Sequence, residues 1–148
     1  MEFQMKVKVM KVDEYSAVKV PTYGSIGAAG FDLVNGTDRS WVIPPGGRTT
    51  IGCGLMFEIP EGYELQIRPR SGLAFNFGVL TSFGTIDSDY RGEVKLNMMN
   101  FSRVDYCVPQ GARIAQAVLA PIVRAEFEMV NELSKTERGK KGFGSSGY

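Results

Sequence analysis

At 148 residues the chain is long enough for one domain with its own core, and 43% hydrophobic against 22% charged residues is an ordinary globular balance. A formal net charge of +1 gives no sign of broad capture of a nucleic-acid backbone by charge, and no segment has the length of a bilayer-crossing apolar run. The chain contains no histidine, which removes Ser-His-Asp and Cys-His nucleophile activation and the common zinc sites. Acid–base work therefore falls to carboxylates, Tyr, Lys or a metal-bound water.

Residues 1–12 mix Lys with apolar residues and lack the continuous apolar stretch of a secretory signal, so a cytoplasmic location is expected. Cys53 and Cys107 lie far apart without metal-ligand spacing and read as two reduced thiols, with a disulfide between them as the alternative. Residues 5–9 alternate with period two, as a half-buried strand does. The turn at Pro44, Pro45, Gly46 and Gly47 precedes two extended runs, 49–51 and 55–59, around Gly52 and Gly54. Glu61 and Gly62 turn the chain before a run over 63–67, and Ser71 is a good N-cap for the one helix expected, 72–77. Further extended runs follow over 92–101, 104–108, 113–123 and 126–130, with Pro60, Pro69, Pro109 and Pro121 near run ends. Many short strands with frequent turns predict an all-β sandwich, barrel or jelly roll with at most one short helix. From Arg138 onward glycine and serine dominate, which divides the chain into a domain over 1–137 and a glycine-rich arm over 138–148.

Four stretches carry candidate chemistry. In Gly27-Ala28-Ala29-Gly30-Phe31-Asp32-Leu33 small residues permit close packing, and Asp32 is either a turn cap or a site carboxylate. In Arg68-Pro69-Arg70-Ser71-Gly72-Leu73-Ala74 a guanidinium, a hydroxyl and free helix N–H groups fall together; this suits a phosphate, or a capped helix with exposed arginines. The stretch from Gly84 to Glu93 packs Asp87, Asp89, Tyr90 and Arg91 between glycines, which fits a hairpin holding carboxylates near a ligand or an ordinary polar turn. In the tail, glycines allow an anion nest, Arg138, Lys140 and Lys141 supply positive charge and Phe143 a stacking face; the alternative is a solvated tail.

Taken in order, these stretches resemble the five motifs of the trimeric dUTPase family. Residues 28–33 match the first motif, 69–74 the second, 84–92 the third, 111–116 (Gly111-Ala112-Arg113-Ile114-Ala115-Gln116) the fourth and 138–147 the fifth. The resemblance implies a jelly-roll or distorted β-barrel subunit that assembles as a homotrimer with sites between subunits. It implies hydrolysis of dUTP to dUMP and pyrophosphate, with Asp87 activating the water that attacks the α-phosphorus in line. A carboxylate is the natural base in a chain without histidine, since it is ionised at neutral pH without tuning.

The resemblance further assigns phosphate contacts to Arg70, Ser71 and Gly72, a place in the phosphate and water network to Gln116, and the sugar floor to Tyr90. The backbone around Thr85 and Ile86 would read uracil's polar edge, with Thr81 nearest the position where some members carry Asn. Phe143 would stack on uracil, while Arg138 and tail amides such as that of Gly144 hold the γ-phosphate. Mg²⁺ would be held mainly by the phosphates and water, with Asp32 acting through water. The chain departs from the pattern at Ala112, where an acidic residue is usual, at Lys141, where a glycine is usual, and in a slightly shorter segment between Ala74 and Gly84. Two other classes fit the same residues less well: a silent dUTP-binding regulatory protein and a dCTP deaminase-like enzyme. Neither nucleic acid nor membrane is expected as a partner.

Overall fold

The structure, a computed structural model, describes residues 5–144. Among the described residues the strands are β1 (Lys8–Lys11), β2 (Phe31–Val34), β3 (Trp41–Ile43), β4 (Arg48–Glu58), β5 (Tyr63–Arg68), β6 (Val79–Thr81), β7 (Gly84–Ile86), β8 (Glu93–Asn100), β9 (Tyr106–Val108) and β10 (Arg113–Pro121). One helix, α1 (Ser71–Phe77), joins β5 to β6.

Two four-stranded sheets, ordered β1-β4-β8-β6 and β2-β10-β5-β7, are antiparallel throughout, and β3 pairs with β9 in a small third sheet. The alternation read in the sequence decides which side chains go inward. Val94, Leu96 and Met98 of β8 and Ile51, Cys53, Leu55 and Phe57 of β4 meet Leu65 and Ile67 of β5 and Ile114 and Ala117 of β10 in one core. Fully burying each larger apolar side chain stabilises the fold by about 1.5–3 kcal/mol. The architecture is the all-β jelly roll that the resemblance implies. The buried polar exceptions are satisfied: Asn100 Nδ2 donates to the carbonyls of Ile43 and Val104, both at 2.8 Å, and its Oδ1 accepts from the Ser102 N–H.

The structure corrects several element expectations. The runs over 49–51 and 55–59 are one strand, β4, bulged between Gly52 and Met56, with Gly54 in the left-handed region at φ 74°. The run over 126–130 is not a strand; residues 122–141 are exposed throughout, and no ladder among the described residues takes them up. Ser71 is not the N-cap. Arg70 holds that place in an extended conformation, no side chain caps the helix, and Ser71 is already helical. The hairpin expected over 84–93 is instead a crossing. β7 pairs with β5 and β8 pairs with β4 and β6, so residues 87–92 carry the chain from one sheet to the other. Residues 145–148, the end of the glycine-rich arm, lie outside the described residues, as do residues 1–4.

Candidate active site

The site's positive side is built by strand register. Gln116 of β10 lies opposite Asp32 of β2 on one side and opposite Arg68 of β5 on the other. Directly opposed residues point to the same face, so Asp32, Gln116 and Arg68 form a row across three strands. Arg70 follows Arg68 by two residues, at the turn into α1. Its Nε lies 3.0 Å from Asp32 Oδ1, and its Nη1 donates to the Arg113 carbonyl at 3.1 Å. Arg113 Nη1 stands 3.6 Å from Asp32 Oδ2. An open pocket of about 320 Å³ lies here, lined by Gly24, Ser25, residues 28–32 and Gln116.

The sequence assigned no role to Arg113. Strict alternation places residues 113 and 116 on opposite faces of a strand. A bulge between Arg113 and Ala115 inserts one residue, so Arg113 pairs with Val34 while Gln116 pairs with Asp32. Val34 and Asp32 share a face, and the bulge brings Arg113 onto it. Two consecutive inward residues, Ile114 and Ala115, are the trace of this bulge that the sequence does carry.

The Asp87 side is separate. Asp87 begins the turn after β7, where the Tyr90 N–H donates to the Asp87 carbonyl at 3.1 Å and Arg91 Nη1 donates to the carbonyls of Ser88 and Tyr90. Among the described residues the exposed Asp87 carboxylate has no hydrogen-bond or ion-pair partner. Thr85 lines a second open pocket of about 340 Å³ with Glu64, Gln66, Arg68 and Phe83. β7 is the edge of its sheet, so one side of the Thr85 and Ile86 backbone is left without a strand neighbour. Ile86 is level with Leu65, three residues along β5 from the Arg68 row, or roughly 10 Å at strand rise. Across the sheet β2 and β7 are its two edges, with β10 and β5 between them, a span of roughly 14 Å. One subunit therefore does not bring Asp87 to Asp32 and Arg70.

Ser71 and Gly72 are exposed beside Arg70 at the helix start. Thr81 departs from its expected role as a substrate contact. It is 2% exposed, and its hydroxyl donates to the Ile114 carbonyl at 2.6 Å, joining the two sheets in the interior. In the arm, Arg138 Nε donates to the Lys141 carbonyl at 2.8 Å, and Phe143 is fully exposed. Among the described residues no side-chain hydrogen bond or ion pair links Arg138, Phe143 or Gly144 to either group of site residues.

Burial pushes the Cys53 thiol up to about 12, which leaves it protonated and unreactive at neutral pH. Burial also raises the Tyr106 phenol, opposed by the positive charge of Arg70. No group of three or more His, Cys, Asp or Glu side chains comes together among the described residues.

The dUTPase family model matches residues 16–147. The deoxyuridine 5'-triphosphate nucleotidohydrolase of Nautilia profundicola is 53% identical over 145 residues, covering 97% of this chain and 99% of the relative. That of Anaplasma marginale is 47% identical over 145 residues with the same coverage. The Staphylococcus bacteriophage 80alpha dUTPase, solved with dUPNHPP, superposes with a TM-score of 0.88 at 27% identity, covering 97% of this chain and 99% of that one. A match running from the first strand's neighbourhood to the glycine-rich arm, at this identity and with this fold, has one meaning: the chain belongs to the dUTPase family.

Proposed function

We propose that this protein hydrolyses dUTP to dUMP and pyrophosphate in a homotrimer whose sites combine residues of different subunits. The observation that carries the reading is a division of labour. A phosphate-suited group, Arg70 with Asp32, Gln116 and the uncapped start of α1, stands apart from a carboxylate, Asp87, to which no group among the described residues is hydrogen-bonded or ion-paired. Asp87 takes a proton from a water, the water oxygen bonds the α-phosphorus, and the bond from that phosphorus to the pyrophosphate oxygen breaks. Arg70 and the N–H groups at Ser71 and Gly72 offset charge on the phosphates, and Gln116 orders the polar network beside them. The free backbone edge at Thr85 and Ile86 offers donors and acceptors to uracil, and the Tyr90 ring closes the space below the deoxyribose.

The residues present suit a Mg²⁺ ion that arrives with the nucleotide. The described residues offer no protein cage, and the Asp32 carboxylate, held by two arginines, retains lone pairs for a metal-bound water. When bound, the ion neutralises part of the triphosphate charge.

Trimer assembly is supported by the separation of the two groups within one subunit. It is also supported by the apolar residues that the subunit leaves in the open beyond β10: Val123, Phe127, Met129 and Leu133 are each more than four-fifths exposed. An extended segment of this composition is expected to lie on a neighbouring subunit and deliver the arm, with Arg138, Phe143 and Gly144, to that neighbour's site. No helix among the described residues is long and apolar enough to cross a membrane, which is compatible with a cytoplasmic location.

The test is pyrophosphate release from a panel of dUTP, UTP, dCTP and dTTP with and without Mg²⁺. The reading requires Mg²⁺-dependent turnover of dUTP far above the others. Binding of a non-hydrolysable dUTP analogue without turnover would instead mark a silent binding protein, and ammonia release from dCTP a deaminase.

A further inference from the structure

Tyr90 is held by its own turn in a way that leaves one neighbour no freedom. Its hydroxyl donates to the Glu93 carbonyl at 2.9 Å, which folds the ring back over residue 92. A Cβ at Gly92 would lie 2.5 Å from the Tyr90 hydroxyl oxygen, 2.7 Å from Cζ and 3.2 Å from Cε2. Gly92 is not among the glycines with positive φ, so its backbone suits any residue. What the position requires is empty space, and the group that fills this space is the Tyr90 ring.

The far side of the anchor is also fixed. The Glu93 side chain turns back across the β4 bulge, where Oε1 accepts the Gly54 N–H at 2.9 Å and a Cβ at Gly52 would collide with the Glu93 carboxylate. The carbonyl that receives the Tyr90 hydroxyl thus belongs to a residue tied to the body of the sheet.

We propose that Gly92 is a specificity-setting positioning residue: its missing side chain makes the room in which the Tyr90 ring lies, and so fixes where the sugar floor stands. The inference rests on the reading of Tyr90 as that floor. An alanine at 92 meets the end of a movable side chain rather than backbone, so the ring swings away while the fold persists. The enzyme would then admit a 2′-hydroxyl that the wild type rejects.

The experiment is a double-mutant cycle read as the ratio of kcat/KM for dUTP to that for UTP, with melting temperature alongside. Tyr90→Ala should lower the ratio. Gly92→Ala should lower it by about tenfold or more with little change in melting temperature, since a displaced pocket wall acts on a scale like that of a methylene. In the Tyr90→Ala background, Gly92→Ala should have no further effect. An unchanged ratio in Tyr90→Ala would sink the sugar-floor reading and this inference with it. A lowered ratio there, with Gly92→Ala at the wild-type value or equally effective in both backgrounds, would overturn the Gly92 inference alone. Should Gly92→Ala fail to fold, recovery of folding in the double variant supports the shared space, and failure in both overturns it.

Discussion

The guanidinium of Arg70 lies 3.0 Å from the carboxylate of Asp32, yet both side chains remain about a third exposed, at 31% and 35%. An ion pair this open to water contributes little to folding, about 0–1 kcal/mol. In the proposed mechanism its value is chemical: it would fix a phosphate-binding cation beside the carboxylate that faces the metal's waters. Asp32→Ala is therefore expected to leave the melting temperature within a few degrees of wild type while lowering kcat/KM for dUTP and raising the Mg²⁺ concentration needed for half-maximal rate. A large loss of stability with an unchanged Mg²⁺ requirement would make the pair structural.

Asp87→Asn should lower kcat by about 10²–10⁴-fold, the usual range for removing a general base. The change keeps the shape of the turn, whose hydrogen bonds use the Asp87 carbonyl rather than its carboxylate. Affinity for a non-hydrolysable dUTP analogue, measured by calorimetry, should stay near wild type. Retention of most of the wild-type turnover would remove Asp87 from the chemistry.

Thr81→Val should act on stability and not on substrate. The buried hydroxyl donates to the Ile114 carbonyl, and a valine methyl in its place leaves that carbonyl without the bond. A loss of about 1–3 kcal/mol by denaturant unfolding is expected, with KM for dUTP unchanged. A raised KM with unaltered stability would restore Thr81 to the substrate contacts.

Cys53 makes a prediction at alkaline pH. Its thiol is pushed from 9.0 to about 12 in the folded protein, chiefly by burial. Above about pH 9 the unfolded chain releases this proton while the folded chain keeps it, so ionisation favours unfolding. The stability linked to Cys53 is present in full below pH 9 and is lost progressively from 9 towards 12, with a slope approaching about 1.4 kcal/mol per pH unit. Denaturant unfolding of wild type and Cys53→Ala across this range should give curves that converge as the pH rises. A constant difference between them would contradict the assignment.

The parts legible in the sequence were those that depend on local pattern. The alternation of Val94, Leu96 and Met98 marks β8 in the sequence, and the motif residues Asp32, Arg70 and Gln116, distant in the chain, stand together in the structure. What escaped depends on pairings between distant segments. The bulge that brings Arg113 beside Asp32 is a property of the β2–β10 register, and the buried hydroxyl of Thr81 on β6 meets the Ile114 carbonyl of β10, a strand of the other sheet. The split of β7 and β8 between sheets likewise follows from their partners, Leu65 and Met56, and not from the turn residues between them. Residues 126–130 have the apolar content of a strand, but a strand needs a partner, and the described residues of this subunit offer none.

The central claim is a site for dUTP hydrolysis that no single subunit completes. It is tested by mixing Asp87→Asn chains with Arg70→Ala chains in equal amounts, unfolding them together, refolding them and assaying pyrophosphate release. A shared site works when its aspartate comes from an Arg70→Ala chain and its arginine from an Asp87→Asn chain. Each condition has a chance of about one half in a randomly assembled symmetric trimer, so about a quarter of wild-type activity is predicted. A site built within one chain never holds both intact residues. A mixture as inactive as its parents, with mixed trimers verified by native mass spectrometry, would contradict the account.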